Sequence, residues 1–361
     1  MKAVILDKIA SVTKTCRLKR EVLTSSEIPC REGIVVAVRV LTDKTTYNQM
    51  ELPSGRMALV KKGDVVAGAL GHRQALFGYS GHLPDHLVPG DRLQLLNIGG
   101  VLGICDSINP DLGPPFDAEV IGAVLSFPFL GERVGVPARI GERPLDLSAP
   151  LEAAGVPVIA MVGSCMNSGK TAAACTLVRH LSHAGYTVDA FKATGVSLRR
   201  DILAMEDAGA RTTGIFTDLG IVSTSAVNAA AVTRTLLTQL AAGKPEAIMV
   251  ELGDGLLGAY GVDAILDDEE IKKAFTAVIL AANDPVAAWG GVRLLRERFG
   301  VEPVAVTGPA TDNLVGTRII EETVGVPAIN ARTEGERLAK LVRSRLMPYD
   351  PARVAGGELA S

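Results

Sequence analysis

The stretch GSCMNSGKT, residues 163–171, lies between an apolar run, PVIAMV, and the helix-forming segment AAACTLVRHL. No other feature constrains the chain as much. An apolar run, a glycine-bounded turn and a helix in that order require a buried strand whose carboxyl end feeds a helix N-terminus. Backbone N–H groups of such a turn wrap a phosphate, and the positive end of the helix dipole favours the anion. Gly169 permits close approach, Lys170 reaches the β- and γ-phosphates, and the Thr171 hydroxyl holds Mg²⁺. Gly163, Asn167, Ser168 and Ala172 complete the expected nucleotide-binding set. One detail is irregular: five residues separate Gly163 from Gly169, where the usual spacing has four. A strand-turn-helix carrying a solvated lysine is the alternative reading of the same residues.

The surrounding pattern supports the first reading. From Val158 onward, continuous apolar runs alternate with helical segments: VIAMV, YTVDAFK, EAIMVE, TAVILAA, EPVAVTG and PAIN each precede or follow a helix. Strands without polar alternation belong to a parallel sheet covered on both faces, so residues 157–346 are expected to form an α/β, doubly wound, mostly parallel sheet. Residues 1–133 differ. Short β-branched runs (GIVVAVRVL, MALV, DVVAGAL, DRLQLLNI, VLGIC) are cut by Pro-Gly and Lys-Gly-Asp turns, which predicts a smaller β-rich domain, a barrel or a sandwich. The Pro- and Gly-containing residues 134–156 read as a linker, and 347–361 as a flexible tail.

The five-residue gap resembles the phosphate loop of dethiobiotin synthetase and its relatives, G-T-D-T-x-V-G-K-T. Two further stretches fall in the family's order: FKATG, with Lys192 where that family has a lysine after its second strand, and VELGDGLLG, with Glu251 where it has V-E-G-A-G-G. The loop is also similar to G-T-D-C-A-V-G-K of P-loop proteins linked to D-glutamate N-acylation. The resemblance covers about residues 157–330 and implies a P-loop NTPase with Mg-ATP, in which Lys170, Lys192 and Glu251 are catalytic and Thr171 and Glu251 hold the metal. It does not imply dethiobiotin synthesis. The family's loop aspartate is Cys165 here, its second threonine is Met166, and the proline after its strand-two lysine is Ala193.

Each singled-out residue has a plainer reading. Glu251 is otherwise a strand-end glutamate, Lys192 a loop lysine in solvent, and Asp254 a turn residue between glycines. Arg199 and Arg200 either hold a substrate carboxylate or start a solvated helix with Asp201. Asn-Asp-Pro at 283–285 either contacts the base or makes an Asx-Pro turn. His72, His82 and His86, three histidines within fifteen residues, either hold a metal or are surface or core histidines; they match no zinc spacing, which favours the latter. Cys165 is either a thiol activated by the helix N-terminus or a packing residue, and with no visible histidine base packing is expected. The loops at 192–201 and 253–261 contain glycines, as a closing lid needs.

Bulk numbers narrow the partners. A net charge of −3 with no Lys/Arg cluster offers nothing to nucleic acid. No apolar stretch approaches the roughly 18–20 residues of a membrane span. Five dispersed cysteines fit reduced thiols in a cytoplasm. The expected protein is a cytoplasmic Mg-ATP-dependent ligase or kinase, assembled as a homo-oligomer. Its reaction is phosphorylation or ligation of a small anionic metabolite through an acyl-phosphate-like intermediate. The alternatives are a GTP-binding accessory protein of cofactor or metal-site assembly, and a nucleotide-gated binding protein. VTGPATDN lacks the lysine of an Asn-Lys-x-Asp base reader, which favours ATP.

Overall fold

The computed structural model describes residues 1–346 apart from 130, 132, 142–144 and 154; the expected tail at 347–361 lies outside the described residues. The chain forms two compact units. The first takes Met1–Leu147 with Thr194–Asp201 and Ile215–Asn228, and the second takes Ser148–Ala193, Ile202–Gly214 and the chain from Ala229 onward. This differs from the contiguous division read from the sequence, because two later segments belong to the first unit.

Within the first unit five strands close a ring. Phe116–Ser126 pairs with Val35–Val40, Val35–Val40 with Val65–Leu70, and Val65–Leu70 with Val101–Ile108. Val101–Ile108 then pairs with Arg92–Leu95, which returns to Phe116–Ser126. The β-rich unit is therefore a barrel, with one parallel pair, Val65–Leu70 with Val101–Ile108, among antiparallel ones. Its interior is filled by Val36, Val38, Val66, Leu93, Leu102 and Val120. The long strand Phe116–Ser126 carries an irregularity between Val120 and Gly122. A bulge bends a strand. On the edge away from Val35–Val40, the residues before it pair with Arg92–Leu95 and those after it with Glu21–Ser25. A Cβ at Gly122 would meet the Ser25 carbonyl oxygen at 2.5 Å, so only glycine allows that approach.

Residues 134–140 are part of this unit, which corrects the linker reading. Val136–Pro137 pairs with Leu125 and Ser126, and Ala138 and Ile140 are buried in the barrel core. The prolines and glycines that read as a linker here flank two apolar side chains, Ala138 and Ile140, whose burial ties the segment to the barrel. The two later segments are held by three side chains, of which Glu51 and Asn97 are buried and Glu32 is half-buried. Both oxygens of the fully buried Glu51 accept hydrogen bonds, from Arg199 N at 2.8 Å and Arg200 N at 2.6 Å. Glu32 Oε1 accepts from Val222 N and Ser223 N, and Asn97 Nδ2 donates to the Ser197 carbonyl. Buried polar groups need such partners, and here backbone amides far along the chain supply them.

The second unit contains the expected sheet. Its strands are β1 (Val158–Gly163), β2 (Val188–Thr194), β3 (Thr213–Ile215), β4 (Ala247–Leu252), β5 (Phe275–Ala281) and β6 (Ala305–Thr307), in the order β3-β2-β4-β1-β5-β6. The β4–β1, β1–β5 and β5–β6 pairs are parallel. PAIN makes only a single bridge, Ala328 to Val306, rather than a strand. The helices are α1 (Lys170–His183), α2 (Arg200–Asp207, which starts in the first unit), α3 (Ala229–Ala241), α4 (Val262–Asp267), α5 (Glu269–Ala274), α6 (Pro285–Phe299), α7 (Leu314–Val324) and α8 (Gly335–Arg343). Ile159, Met161 and Met249 of the sheet share one core cluster with Leu177 and Leu181 of α1 and Leu338 and Val342 of α8. From β1 the chain passes to one side of the sheet for β2 and β3, and β5 and β6 lie on the other. Ligands bind at such a switch point, outside the carboxyl ends of the strands. No helix among the described residues is long and apolar enough to cross a membrane.

Candidate functional site

At the switch point, β1 ends in Gly163 and α1 starts at Lys170. The loop between them turns on two left-handed residues, Asn167 (φ 60°) and Gly169 (φ 90°). Gly169 caps α1 and so offers no capping side chain, and the first turn holds no acidic residue. The helix dipole there meets no protein carboxylate of its own first turn. Ser168 and Lys170 pack directly against Gly163, where a Cβ would stand 2.5 Å from Ser168 Oγ and 2.8 Å from Lys170 Nζ. The irregular register is thereby accommodated, with the fully buried Ser168 and the 6%-exposed Lys170 folded under the turn.

Lys170 Nζ donates to the Cys165 carbonyl at 2.8 Å and to the Asp254 carbonyl. Burial pushes its ammonium below the ordinary lysine range; Glu251 opposes this most, Lys192 adds to it, and Asp254 and Cys165 oppose it. Glu251 and Lys192 are thus within electrostatic reach of Lys170. Met161 of β1 is level with Glu251 of β4, so the glutamate emerges beside the loop. Glu251 Oε1 accepts from Thr171 Oγ1 at 3.1 Å and lies 4.0 Å from Lys192 Nζ. Glu251 is 2% exposed and Lys192 8%. Neither is the solvent-facing residue of the plainer reading. Lys192 sits inside β2 rather than in a loop after it.

The structure therefore brings Gly163, Ser168, Gly169, Lys170, Thr171, Lys192 and Glu251 together. Asn167 and Ala172 are at the exposed rim of the turn. The oxygen pair of Thr171 and Glu251 suits Mg²⁺, which takes one or two hard protein ligands and completes its shell with phosphate oxygens and water. No cluster of three His, Cys, Asp or Glu residues suited to a metal occurs among the described residues, and a site of this kind does not need one. His82 Nδ1 instead pairs with Asp106 Oδ1 at 2.7 Å on the surface.

Several expectations are redistributed. Asp284 is the N-cap of α6, its carboxylate accepting from Ala287 N, with Pro285 as the first helical residue. Asn283 Nδ2 donates to Cys165 Sγ at 3.0 Å, which gives the loop cysteine a positional role. Asn283 Oδ1 and Ser164 Oγ, both buried, have no hydrogen-bond partner among the described residues. Arg199 is buried beside Asp218 at 3.8 Å, so it does not reach outward for a carboxylate, whereas Arg200 is largely exposed. Of the two glycine-containing loops, 253–261 is partly closed down: Asp254, Gly255, Leu256, Tyr260 and Gly261 are buried while Leu257 is exposed, and Leu256 N donates to the Gly163 carbonyl at 2.9 Å. A Cβ on Gly255 would stand 2.7 Å from the Ser164 carbonyl oxygen, so this segment supports the phosphate loop from below.

Sequence reasoning missed the wall contributed by residues after β6. Gly308 (φ 90°) lies so close that a Cβ would approach the Ser168 carbonyl oxygen to 2.3 Å. A cavity of about 240 Å³ opens there, lined among others by Gly169, Ala172, Pro309, Asp312, Asn330 and Arg332. Asn330 Nδ2 donates to Asp312 Oδ1 at 2.9 Å. The signal was the Gly-Pro pair in VTGPATDN, a turn where a backbone must pass closely.

Sheet order, switch point and loop together define a P-loop NTPase fold. No protein-family model matches the chain, and no curated protein matches it. Among solved structures, it is similar to a DUF1611 family protein from Anabaena variabilis ATCC 29413, at 13% identity, covering 57% of this chain and 63% of that one, with a TM-score of 0.40. It is similar to the signal recognition particle receptor FtsY from Elizabethkingia anophelis in complex with GDP, at 16% identity, with coverages of 54% and 64% and a TM-score of 0.37. The 54 kDa signal recognition particle protein from Aeropyrum pernix K1, in complex with GDP, gives 18% identity, coverages of 56% and 50% and a TM-score of 0.35. The chain thus spans less than two thirds of each of these proteins, and likeness at these scores carries no argument about activity.

Proposed function

We propose that this protein is a Mg-ATP-dependent ligase or kinase that activates a small anionic metabolite. The observation that carries the reading is the second buried lysine: Lys192 lies 4.0 Å from the carboxylate that also accepts from Thr171. Holding a nucleotide requires Lys170 and the loop amides; a further cation at the same carboxylate suits charge that moves during phosphoryl transfer. In this reading the loop amides and Lys170 hold the β- and γ-phosphates, while Thr171 and Glu251 hold Mg²⁺, which would neutralise charge on the phosphate oxygens. Lys192 would orient the acceptor. The acceptor oxygen forms a bond to the γ-phosphorus as the bond to the β-phosphate oxygen breaks, and ADP leaves with that electron pair. The unpartnered Asn283 Oδ1 and Ser164 Oγ support a polar ligand at the loop.

One observation favours guanine instead, and with it a GTP-binding accessory role. The carboxylate of Asp312 lines the cavity beside Gly169, and a carboxylate accepts from guanine N1–H and N2–H, which adenine does not present. Phosphate release from Mg-ATP and from Mg-GTP, each across a pool of metabolite carboxylates, separates the two. Slow ATP turnover stimulated by one small anion is the expected result. GTP-only hydrolysis indifferent to every metabolite would overturn the ligase or kinase reading.

A further inference from the structure

The turn that follows β4 carries its strain on an aspartate. In the run Gly253-Asp254-Gly255 the left-handed position, φ 71°, belongs to Asp254 and to neither glycine. Glycine adopts that conformation freely, whereas a residue with a Cβ does so at a cost. Such strain persists only where the surroundings impose it, and it gathers at functional sites. Asp254 is 7% exposed, and the turn closes over its carboxylate: a Cβ on Gly258 would stand 2.4 Å from Oδ2 and 2.9 Å from Cγ. Gly258 N completes the closure by donating to the Gly255 carbonyl at 2.9 Å.

The strained residue delivers a carbonyl to the phosphate loop. Lys170 Nζ donates to two main-chain carbonyls, that of Cys165 at 2.8 Å and that of Asp254, while Ser168 Oγ stands at 3.4 Å. Cys165 belongs to the loop itself; Asp254 comes from 84 residues along the chain. A lysine stem is flexible, so the ammonium stands where its acceptors hold it. The flanks of Asp254 are fixed. Before it, Glu251 pairs in register with Met161 of β1. After it, Leu256 N donates to the Gly163 carbonyl at 2.9 Å, and a Cβ on Gly255 would stand 2.8 Å from Cys165 Cα. With both flanks pinned, the backbone at residue 254 decides where that carbonyl points.

We infer that Asp254 is a positioning residue for the phosphate-binding lysine, its left-handed backbone aiming the carbonyl that holds the Lys170 ammonium. The inference rests on the nucleotide reading of the loop and adds to it a residue from outside the loop. Aspartate and asparagine are, after glycine, the residues that best tolerate this conformation, whereas a β-branched side chain opposes it. A lysine displaced within the site still attracts phosphate, but it no longer meets the charge that develops on the transferred group. The loss therefore falls on kcat and leaves the nucleotide KM nearly unchanged. A residue that merely holds the fold together lowers the number of competent sites instead, and leaves turnover per site alone.

The test measures phosphate release from Mg-ATP and from Mg-GTP by the full chain, expressed per nucleotide site titrated by calorimetry. Asp254→Asn and Asp254→Gly, which keep the backbone conformation accessible, are expected within about threefold of the parent in kcat and KM. Asp254→Val should lose about tenfold to a hundredfold in kcat per site, with KM within about threefold. Should Asp254→Val fail to fold, Asp254→Ala takes its place, with an expected loss of about fivefold. Equal turnover by the Val (or Ala) and Gly variants would overturn the inference. So would a loss shared equally by all the variants, which would place the carboxylate rather than the backbone in the role, and so would a loss confined to KM. A parent that releases phosphate from neither nucleotide overturns the nucleotide reading itself, and the inference falls with it.

Discussion

The helices α1 and α2 begin in opposite ways. Both present backbone amides at a positive dipole end. At α2 a buried carboxylate, Glu51, takes the amides of Arg199 and Arg200. At α1 the cap is Gly169, with no capping side chain and no acidic residue in the first turn. The two lysines nearest that end, Lys170 and Lys192, are buried around one glutamate. A helix start closed by the protein's own anion is architecture, and one surrounded by buried cations and left to glycine suits an external anion. The pair shows how one physical device serves structure in one place and chemistry in another.

Substitutions at the two starts test that contrast, and Lys170→Ala should have the largest effect. Turnover is expected to fall about 10²- to 10³-fold, as for loss of a transition-state contact, with the far-ultraviolet circular dichroism unchanged. Near-native phosphate release from a folded variant breaks the contrast at α1. Glu51→Ala should act on stability instead, by about 2–4 kcal/mol, since it strands two amides that are buried or nearly so. A denaturant midpoint equal to that of the parent would show that water replaces the carboxylate. Glu251→Gln keeps the shape and removes the charge, so the Mg²⁺ concentration for half-maximal activity should rise about tenfold. An unaltered Mg²⁺ dependence assigns Glu251 to packing.

The smallest expected effect is on pH. Burial lowers the Lys170 ammonium below 10.5, so the unfolded chain holds that proton more firmly than the folded one. Stability therefore rises with pH between the lowered value and 10.5, where the folded chain has released the proton and the unfolded chain has not. Relative to Lys170→Met, which has no such proton, the parent should gain stability as pH climbs through that window. Urea midpoints of both proteins from pH 7.5 to 10 measure it, and a constant difference removes the cost assigned to the buried charge.

The sheet unit was legible because its signals are local. β1, the loop and α1 are contiguous, and continuous apolar runs such as EAIMVE can only be covered strands. Lys170, Thr171 and Glu251 were readable for the same reason. The barrel was less so. Its ring is closed by Phe116–Ser126, whose inward positions include Ala118 and whose bend depends on Gly122, residues that carry little strand signal. Arg73 gave no sequence signal at all, since nothing local marks a cation that will be buried against tyrosines from elsewhere. Glu51 looks like any glutamate near a turn; its partners lie some 150 residues away. Asp312 and Gly308 joined the loop wall only once β6 was placed next to β5.

The amides that satisfy Glu51 and Glu32 belong to residues 199–200 and 222–223, so the barrel unit has a fixed order of completion during synthesis. A ribosome that has released the first 150 residues has delivered every strand of the ring, yet the carboxylate of Glu51, meant for the interior, and that of the half-buried Glu32 still lack the amides they accept from in the finished unit. They remain hydrated until the second sheet has reached past β3. A nascent barrel is therefore a looser object than a finished one, and a gene cut at residue 150 would express the looser one permanently.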